Sequence, residues 1–287
     1  MRTKTNIALV GCGKISKKHF MSILRLKKFL KLKAICDIDK DKILKTRKFL
    51  TDLYSGSSEE INDLEIFHDY LNLLKDIKSG NIPIDLIVIC TPNGMHAKQC
   101  IKAGKLGINV CTEKPLATNL NDGLLLLDFF KSNKSKLFVV FQQRLNPYIR
   151  ILKKQIDKGR FGKIALISSN IFWHRDQYYF DEAQWRGTKL LDGGILLNQA
   201  CHLLDLISFL PNNKIKKVSS LVSNLERKIE TENSAVLNLK YENGALGNLA
   251  MTMLTYPGNL ETSISVLGTL GSVKIGGPAL NKVIIWK

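Results

Sequence analysis

No stretch of this chain approaches the roughly 20 consecutive apolar residues that a membrane-spanning helix needs, so no membrane span is expected. The cysteines at 12, 36, 90, 100, 111 and 201 contain no CxxC pair and lie mostly within apolar runs. That scatter argues against a disulfide framework and points to reduced, buried thiols in a cytoplasmic protein. The N-terminus, MRTKTNIALVGCGK, turns polar within a few residues, so a signal peptide is not expected. Arginine is scarce as well: 9 Arg stand against 34 Lys, with no basic run longer than two. Phosphate readers concentrate their cations on one face and favour Arg. The net charge of +18 therefore reads as a lysine-rich bias rather than a nucleic-acid surface, with attraction of an anionic substrate as a smaller contribution.

What the chain has is an ordinary globular composition, 45% hydrophobic and 24% charged over 287 residues, enough for one large domain or two of usual size. Its first half alternates short β-branched runs with helical stretches. NIALV (6–10), KAIC (33–36), DLIVIC (85–90), INVC (108–111) and LFVVF (137–141) read as buried strands, with helices expected over 15–28, 39–51, 95–105 and 119–132. Such alternation predicts an α/β Rossmann fold, a doubly wound parallel sheet.

GCGKIS (11–16) follows the first strand directly. Gly11 permits a tight turn, Gly13 lets the backbone approach a pyrophosphate, and Lys14 and Ile15 complete the loop at the next helix N-terminus. Ser16 replaces the third glycine of the dinucleotide pattern and weakens it. The second strand ends in Asp37, 26 residues past Gly11, where a carboxylate can accept from an adenosine ribose; a turn residue before Asp39 is the plainer alternative. Its neighbour is Ile38 rather than Arg, so NAD is preferred over NADP. The fourth and fifth strands run out into CTPNGMHAKQC (90–100) and CTEKPLATN (111–119), beyond the carboxyl ends where such sheets bind ligands. There Pro115 restrains Lys114 to an extended conformation, from which it would project towards the nicotinamide.

The second half carries GGILLNQACHLLD (193–205), an apolar helix, expected over 195–209, interrupted by Asn198, His202 and Asp205. Their i, i+4, i+7 spacing puts them on one face, either as structural hydrogen bonds or as a pocket lining. Its leading glycines would allow close approach to the nicotinamide. Asp205 fits a structural role, a helix contact or a His202 contact, better than catalysis. FQQRLNPYIR (141–150) leaves the last Rossmann strand and offers Gln143 to the cofactor and Arg144 to the substrate. NIFWHRDQYYFDEAQWRGTKLLDGG (170–194) is dense in aromatic and cationic groups. Arg175, Tyr178 and Tyr179 are candidate substrate contacts, and Trp185 and Arg186 candidate cofactor contacts. Cys201, His202 and Asp205 do not converge, so no metal site is expected. Runs at 163–172, 214–224, 234–240, 245–254, 261–267 and 272–275 suit a mostly antiparallel sheet.

Taken together, GCGKIS, CDID (36–39), ICTPNGMHA (89–97), TEKPLA (112–117) and GGILLNQACHLLD resemble the Gfo/Idh/MocA family of NAD(P)-dependent sugar oxidoreductases over nearly the whole chain. The resemblance implies a Rossmann domain, placed at 1–122, followed by an α+β domain with an open, mostly antiparallel sheet at 123–287 that carries the substrate pocket and an oligomer interface. A homo-oligomer, dimer or tetramer, is the implied assembly. Carried over by position, Lys114 looks like the family's active-site lysine and His202 like its histidine. Thr91, Pro92, Asn93 and His96 match the cofactor-contacting segment, and Glu113 the ribose-side contact. Relatives usually continue past the point where this chain stops, GGPALNKVIIWK, with a further segment including a helix. The family helix usually has Asp four residues before its histidine, and this chain has Asn198. Asparagine cannot accept a proton, so a Lys–His–Asp set is in doubt. It does resemble the branch that oxidises UDP-N-acetylglucosamine or its uronic acid at C3 in bacterial surface-polysaccharide synthesis.

Oxidising a secondary alcohol needs a base near the hydroxyl while hydride passes to the nicotinamide. A histidine's ordinary value of ~6.5 suits that duty. His202 and Lys114 are expected to share acid/base work while Asn198 orients the sugar; a satisfied core histidine is the alternative for His202. Three readings stay open at this point: an NAD-dependent sugar-nucleotide 3-dehydrogenase, a dehydrogenase of a free sugar or inositol, and a catalytically idle NAD-binding protein.

Overall fold

The computed structural model describes residues 4–54 and 63–287. The chain divides into two compact units, Met1–Val140 and Phe141–Lys287. In the first, strands β1 (Thr5–Val10), β2 (Leu30–Cys36), β3 (Glu65–Phe67), β4 (Leu86–Ile89), β5 (Asn109–Thr112) and β6 (Leu137–Val139) form one sheet in the order β3-β2-β1-β4-β5-β6. All its pairings are parallel. Helices α1 (Ser16–Arg25), α2 (Lys40–Leu53), α3 (Tyr70–Ser79), α4 (His96–Gly104) and α5 (Leu120–Ser132) alternate with the strands.

The apolar run of β1 has a direct explanation. Ile7 and Leu9 pack on one side of the sheet with Phe20, Leu50 and Val88, while Ala8 and Val10 pack on the other with Leu73, Cys100 and Leu126. A strand covered on both faces has no polar side to alternate with. The strand order reverses between β1 and β4, so the loops leaving those two strands meet at the sheet's switch point. Asp39 and Asp69 cap α2 and α3 by accepting backbone N–H groups. β3 and α3 lie outside the strands and helices expected from the sequence. The domain boundary also differs, falling after Val140 rather than after residue 122. The reason is that β6 pairs with β5 and so keeps itself and the preceding α5 in the first unit.

The second unit opens with α6 (Pro147–Asp157), then β7 (Ile164–Phe172), α7 (Gln177–Asp181), α8 (Gly194–Asn198) and α9 (Cys201–Phe209). Six strands follow: β8 (Ile215–Ser223), β9 (Ser234–Tyr241), β10 (Leu246–Thr252), β11 (Glu261–Gly268), β12 (Gly271–Gly276) and β13 (Lys282–Trp286). The sheet order is β13-β12-β11-β7-β10-β9-β8, antiparallel throughout except for the β7–β10 pair. β9 alternates buried and outward residues, with Ala235, Leu237, Leu239 and Tyr241 facing inward. Against that inner face pack Leu203, Leu206 and Ile207 of α9 and Ile149 and Leu152 of α6. Each such fully buried aliphatic side chain contributes about 1.5–3 kcal/mol relative to exposure.

The helix expected over 195–209 is two helices. Gln199 N and Ala200 N both bond to the Ile195 carbonyl, at 2.9 and 2.8 Å, which inserts a wide turn between α8 and α9. The i, i+4, i+7 face counted across Asn198, His202 and Asp205 is therefore interrupted after Asn198. A polar bond anchors α9 to the sheet: the wholly buried Tyr241 hydroxyl donates to the Ile207 carbonyl at 2.7 Å. Tyr241→Phe should lower the stability of the second unit by about 1–2 kcal/mol, because a buried carbonyl loses its donor. A urea-unfolding midpoint equal to wild type would refute the anchoring.

Candidate active site

The cofactor half is built in the first unit around GCGKIS. Gly11 sits at φ +95°, and a Cβ there would lie 2.5 Å from the Cys90 carbonyl oxygen, so only glycine lets this loop cross the end of β4. At Gly13 a Cβ would meet nothing within 4 Å, leaving open backbone on the side a ligand approaches. Ser16, which departs from the three-glycine pattern, is buried and returns its hydroxyl to the Gly13 carbonyl at 2.7 Å. The third glycine is thus replaced without a stranded polar group. Helix α1 begins here with no side-chain cap and no acid in its first turn, so the positive end of its dipole suits a phosphate. Asp37 accepts from Cys12 N at 2.7 Å and from Asp39 N at 2.9 Å, tying the end of β2 to the glycine loop. These residues fit a dinucleotide.

His96, matched to the cofactor-contacting segment, has no exposed surface. Its Nδ1 lies 2.8 Å from the Pro115 carbonyl and its Nε2 2.8 Å from the Thr91 carbonyl. The ring joins the TPNGMH loop to the EKP loop rather than presenting itself to a ligand. Burial depresses its ionisation and outweighs the two carbonyls, which favour the cation. A neutral ring has one N–H, so only one of the two contacts can be a hydrogen bond at a time. Thr91 gives its hydroxyl to Gln99 at 2.6 Å. Asn93 is buried and Pro92 starts the short turn that follows.

Glu113 meets a residue that sequence reasoning missed. His19 on α1 places Nε2 2.8 Å from Glu113 Oε1, and the Lys114 N–H lies 3.4 Å from Oε2. Burial pushes the Glu113 carboxyl up, but the bond and charge of His19, with the charge of Lys114, hold it below its ordinary value. The signal for His19 was its place one turn into the helix after the glycine loop. The nearby thiols are inert: burial first, then Asp37, pushes Cys12 up to about 12, and burial pushes Cys111 up to about 11.

The second unit carries its own group of candidate residues. Gln142 Nε2 lies 3.2 Å from His202 Nε2, and the His202 ring stands edge-on to Phe141 at 6.0 Å. The glutamine that meets the histidine is thus Gln142; Gln143, the one expected at the crevice, bonds to Asn146 at 3.2 Å. Arg144, expected on substrate, commits its fork to Asp205 through Nε at 2.7 Å and Nη2 at 2.5 Å, and lies over the Phe209 ring at 4.6 Å. Asp205 therefore pairs with Arg144. That bond raises the Arg144 guanidinium further.

Asn198 gives Nδ2 to Asp192 Oδ1 at 2.5 Å, while Asp192 Oδ2 accepts from Gly187 N at 2.8 Å. Asp192 is only 1% exposed, so this carboxylate depends on those donors. Gly194, expected to open the way to a nicotinamide, instead makes room for another acid. At φ +89°, a Cβ there would meet the Glu232 carboxylate at 2.4 Å, and Glu232 Oε1 accepts from Leu196 N at 3.0 Å near the start of α8. The aromatic stretch also folds locally. The guanidinium groups of Arg175 and Arg186 both lie over the Tyr179 ring, at 5.3 and 4.2 Å, and Arg186 also pairs with Glu182 and lies 6.0 Å from the Trp185 ring. Tyr178 is 70% exposed.

The comparisons with known proteins now decide the family. Residues 5–141 match the group described as "Oxidoreductase family, NAD-binding Rossmann fold", and residues 149–274 match the "GFO/IDH/MocA C-terminal domain". The chain belongs to the Gfo/Idh/MocA oxidoreductases. It is similar to the WlbA dehydrogenase of Chromobacterium violaceum, solved with NADH and UDP-GlcNAcA, at 35% identity and a TM-score of 0.90, covering 100% of this chain and 78% of that one. The WlbA dehydrogenase of Bordetella pertussis, solved with the same ligands, is 36% identical with a TM-score of 0.89, over 99% of this chain and 83% of that one. An inositol 2-dehydrogenase of Saccharopolyspora erythraea is 23% identical over 96% of this chain and 74% of its own length. This Gfo/Idh/MocA member is an NAD-dependent oxidoreductase, and NAD is the cofactor that the first unit fits.

Asn198→Asp would set a second carboxylate against buried Asp192, and one of the pair would be pushed above its ordinary value. An acid raised in the folded state costs more stability as pH rises, so the loss should reach about 3 kcal/mol at pH 8 and shrink towards pH 5. Adding Asp192→Asn should restore most of it; a double variant no more stable than Asn198→Asp refutes the pairing. His96 titrates the other way round. Its depressed value means the folded state resists a proton that the unfolded chain accepts below about 6.5. Melting of the first unit should therefore fall as pH drops below that point, and His96→Gln should flatten the slope. An unchanged slope in the variant would assign the acid sensitivity elsewhere.

Proposed function

We propose that this oxidoreductase removes hydride from C3 of a UDP-N-acetylhexosamine or its uronic acid. The observation that carries the reading is the similarity, over essentially the whole chain, to dehydrogenases solved with NADH and UDP-GlcNAcA. NAD, when bound, supplies the hydride acceptor. Gly11, Gly13, Lys14 and Ile15 would hold its pyrophosphate at the α1 N-terminus, with Asp37 on the adenosine ribose. In the proposed chemistry His202 takes the hydroxyl proton at Nε2, the substrate hydroxyl displacing the Gln142 amide that donates to that nitrogen before substrate binds. The Lys114 ammonium holds the alcohol oxygen as it becomes a ketone. Asn198, fixed by Asp192, contributes position and no proton transfer. A place in bacterial surface-polysaccharide synthesis, in the cytoplasm, and assembly as a homo-oligomer complete the proposal; light scattering of the purified protein reads the assembly.

A dehydrogenase of free sugars or inositol is the second reading, favoured by the likeness to an inositol 2-dehydrogenase. Purified protein with NAD should produce the NADH absorbance with UDP-GlcNAcA or UDP-N-acetylglucosamine and not with myo-inositol. His202→Ala and Lys114→Ala should each lower kcat about 10²–10⁴-fold, the usual size of an acid/base contribution. Turnover of inositol alone would transfer the protein to the second reading, and full activity in His202→Ala would remove the histidine from the chemistry.

A further inference from the structure

Beyond the end of β7, the chain carries Arg175 over the rings of Trp173 and Tyr179, at 5.0 and 5.3 Å. Its Nη1 donates to the His174 carbonyl at 2.5 Å and to Asn259 Oδ1 at 3.3 Å. A second arginine reaches this segment from the β8–β9 loop. Arg227 donates Nε to the Arg175 carbonyl at 2.9 Å and Nη1 to the Glu226 carbonyl at 2.9 Å. Lys228 N closes the same loop onto Gln177 Oε1 at 2.9 Å.

The loop is built to hold that arginine. Asn233, wholly buried, accepts from Leu225 N at 3.2 Å and donates to Asn224 Oδ1 at 3.0 Å and the Leu225 carbonyl at 2.5 Å. Asn224 in turn donates to the Ile229 carbonyl at 2.7 Å. Between them Glu226 is held at φ +58°, a left-handed conformation costing a non-glycine residue about 1–2 kcal/mol. Strain of that kind persists only where the surroundings over-determine it.

Three of the nearby acids are committed elsewhere. Asp176 accepts from Tyr179 N, Asp181 from the Gln177 amide, and Glu182 pairs with Arg186. Among the described residues no carboxylate bonds to Arg175 or Arg227. Two half-buried guanidinium groups on adjoining segments, with no carboxylate bonded to either among the described residues, favour an anion. A second observation ties this group to the candidate site. The Tyr179 hydroxyl accepts from Gln199 Nε2 at 3.4 Å, and Gln199 is more than nine-tenths buried in the turn between Asn198 and His202. Its Oε1 is buried with no hydrogen-bond partner among the described residues.

We propose that Arg175 and Arg227 form a two-guanidinium anion subsite for the diphosphate or the carboxylate of a sugar nucleotide. Arg227 is the residue that neither sequence motif nor spacing marked. The inference rests on the sugar-nucleotide reading above. Its test is calorimetry of the NAD-saturated protein and of Arg227→Gln and Arg227→Lys with UDP, UDP-N-acetylglucosamine and UDP-GlcNAcA. Arg227→Gln should weaken binding about 10- to 100-fold, the range for a lost hydrogen bond to a charged group. Arg227→Lys, keeping the charge but not the fork, should lose less. NAD affinity and melting midpoint should stay at wild-type values, which a bracing role alone would not allow. A loss already present with UDP assigns the diphosphate, and a loss confined to UDP-GlcNAcA assigns the carboxylate. Wild-type affinity for all three ligands in both variants overturns the subsite. Wild-type protein that binds none of them yet oxidises myo-inositol overturns the sugar-nucleotide reading instead.

Discussion

The candidate site of the second unit depends on one buried carboxylate. Asp192 cannot sit 1% exposed as an ion unless donors surround it, and the structure supplies Gly187 N and the Asn198 amide. That requirement ties the loop before α8 to the last residue of α8. It also gives Asn198 a physical reason to be an amide rather than an acid, since an aspartate there would face another carboxylate. The wide turn at Gln199 and Ala200 follows, and α9 then presents His202 on a helix locked to the sheet through Tyr241. An asparagine that cannot accept a proton is consistent with the proposal that His202 and Lys114 carry the acid/base work.

The first unit solves a related problem with histidines. Its loops after β4 and β5 carry TPNGMH and EKP, and the His96 ring lies between them, 2.8 Å from a backbone carbonyl of each and hydrogen-bonded to one at a time. His19 reaches from α1 to Glu113, so the helix that would receive the phosphates also braces the residue before Lys114. Each histidine shows little or no surface and acts through a neighbour. Their burial, more than their residue type, decides that they position other groups.

Much of this was legible in the sequence, for reasons that can be named. A strand covered on both faces must be apolar throughout, so β1, β2, β4 and β5 announced a parallel sheet. A glycine loop between strand and helix, with an acid at the end of the next strand, announced the dinucleotide half. β3 has three residues, too few for any period to register. The 195–209 helix looked continuous because an inserted residue leaves no mark in an apolar pattern, and the Gln142–His202 and Arg144–Asp205 contacts span 60 and 61 residues. Gln143 was preferred to Gln142 because periodicity does not say which of two adjacent side chains turns inward.

The sequence by itself determined the fold class, the family and the cofactor, because each is written in local patterns: burial on both strand faces, the short glycine loop, and motifs a few residues long. Only the tertiary structure decided what individual polar side chains do. Asp192 and Asn198 meet because a loop folds back, Glu232 fills the space Gly194 leaves, and Arg227 arrives on a loop pinned by Asn233. A side chain's ionisation and hydrogen bonding depend on which distant groups exclude water from it. No short stretch of chain contains that information.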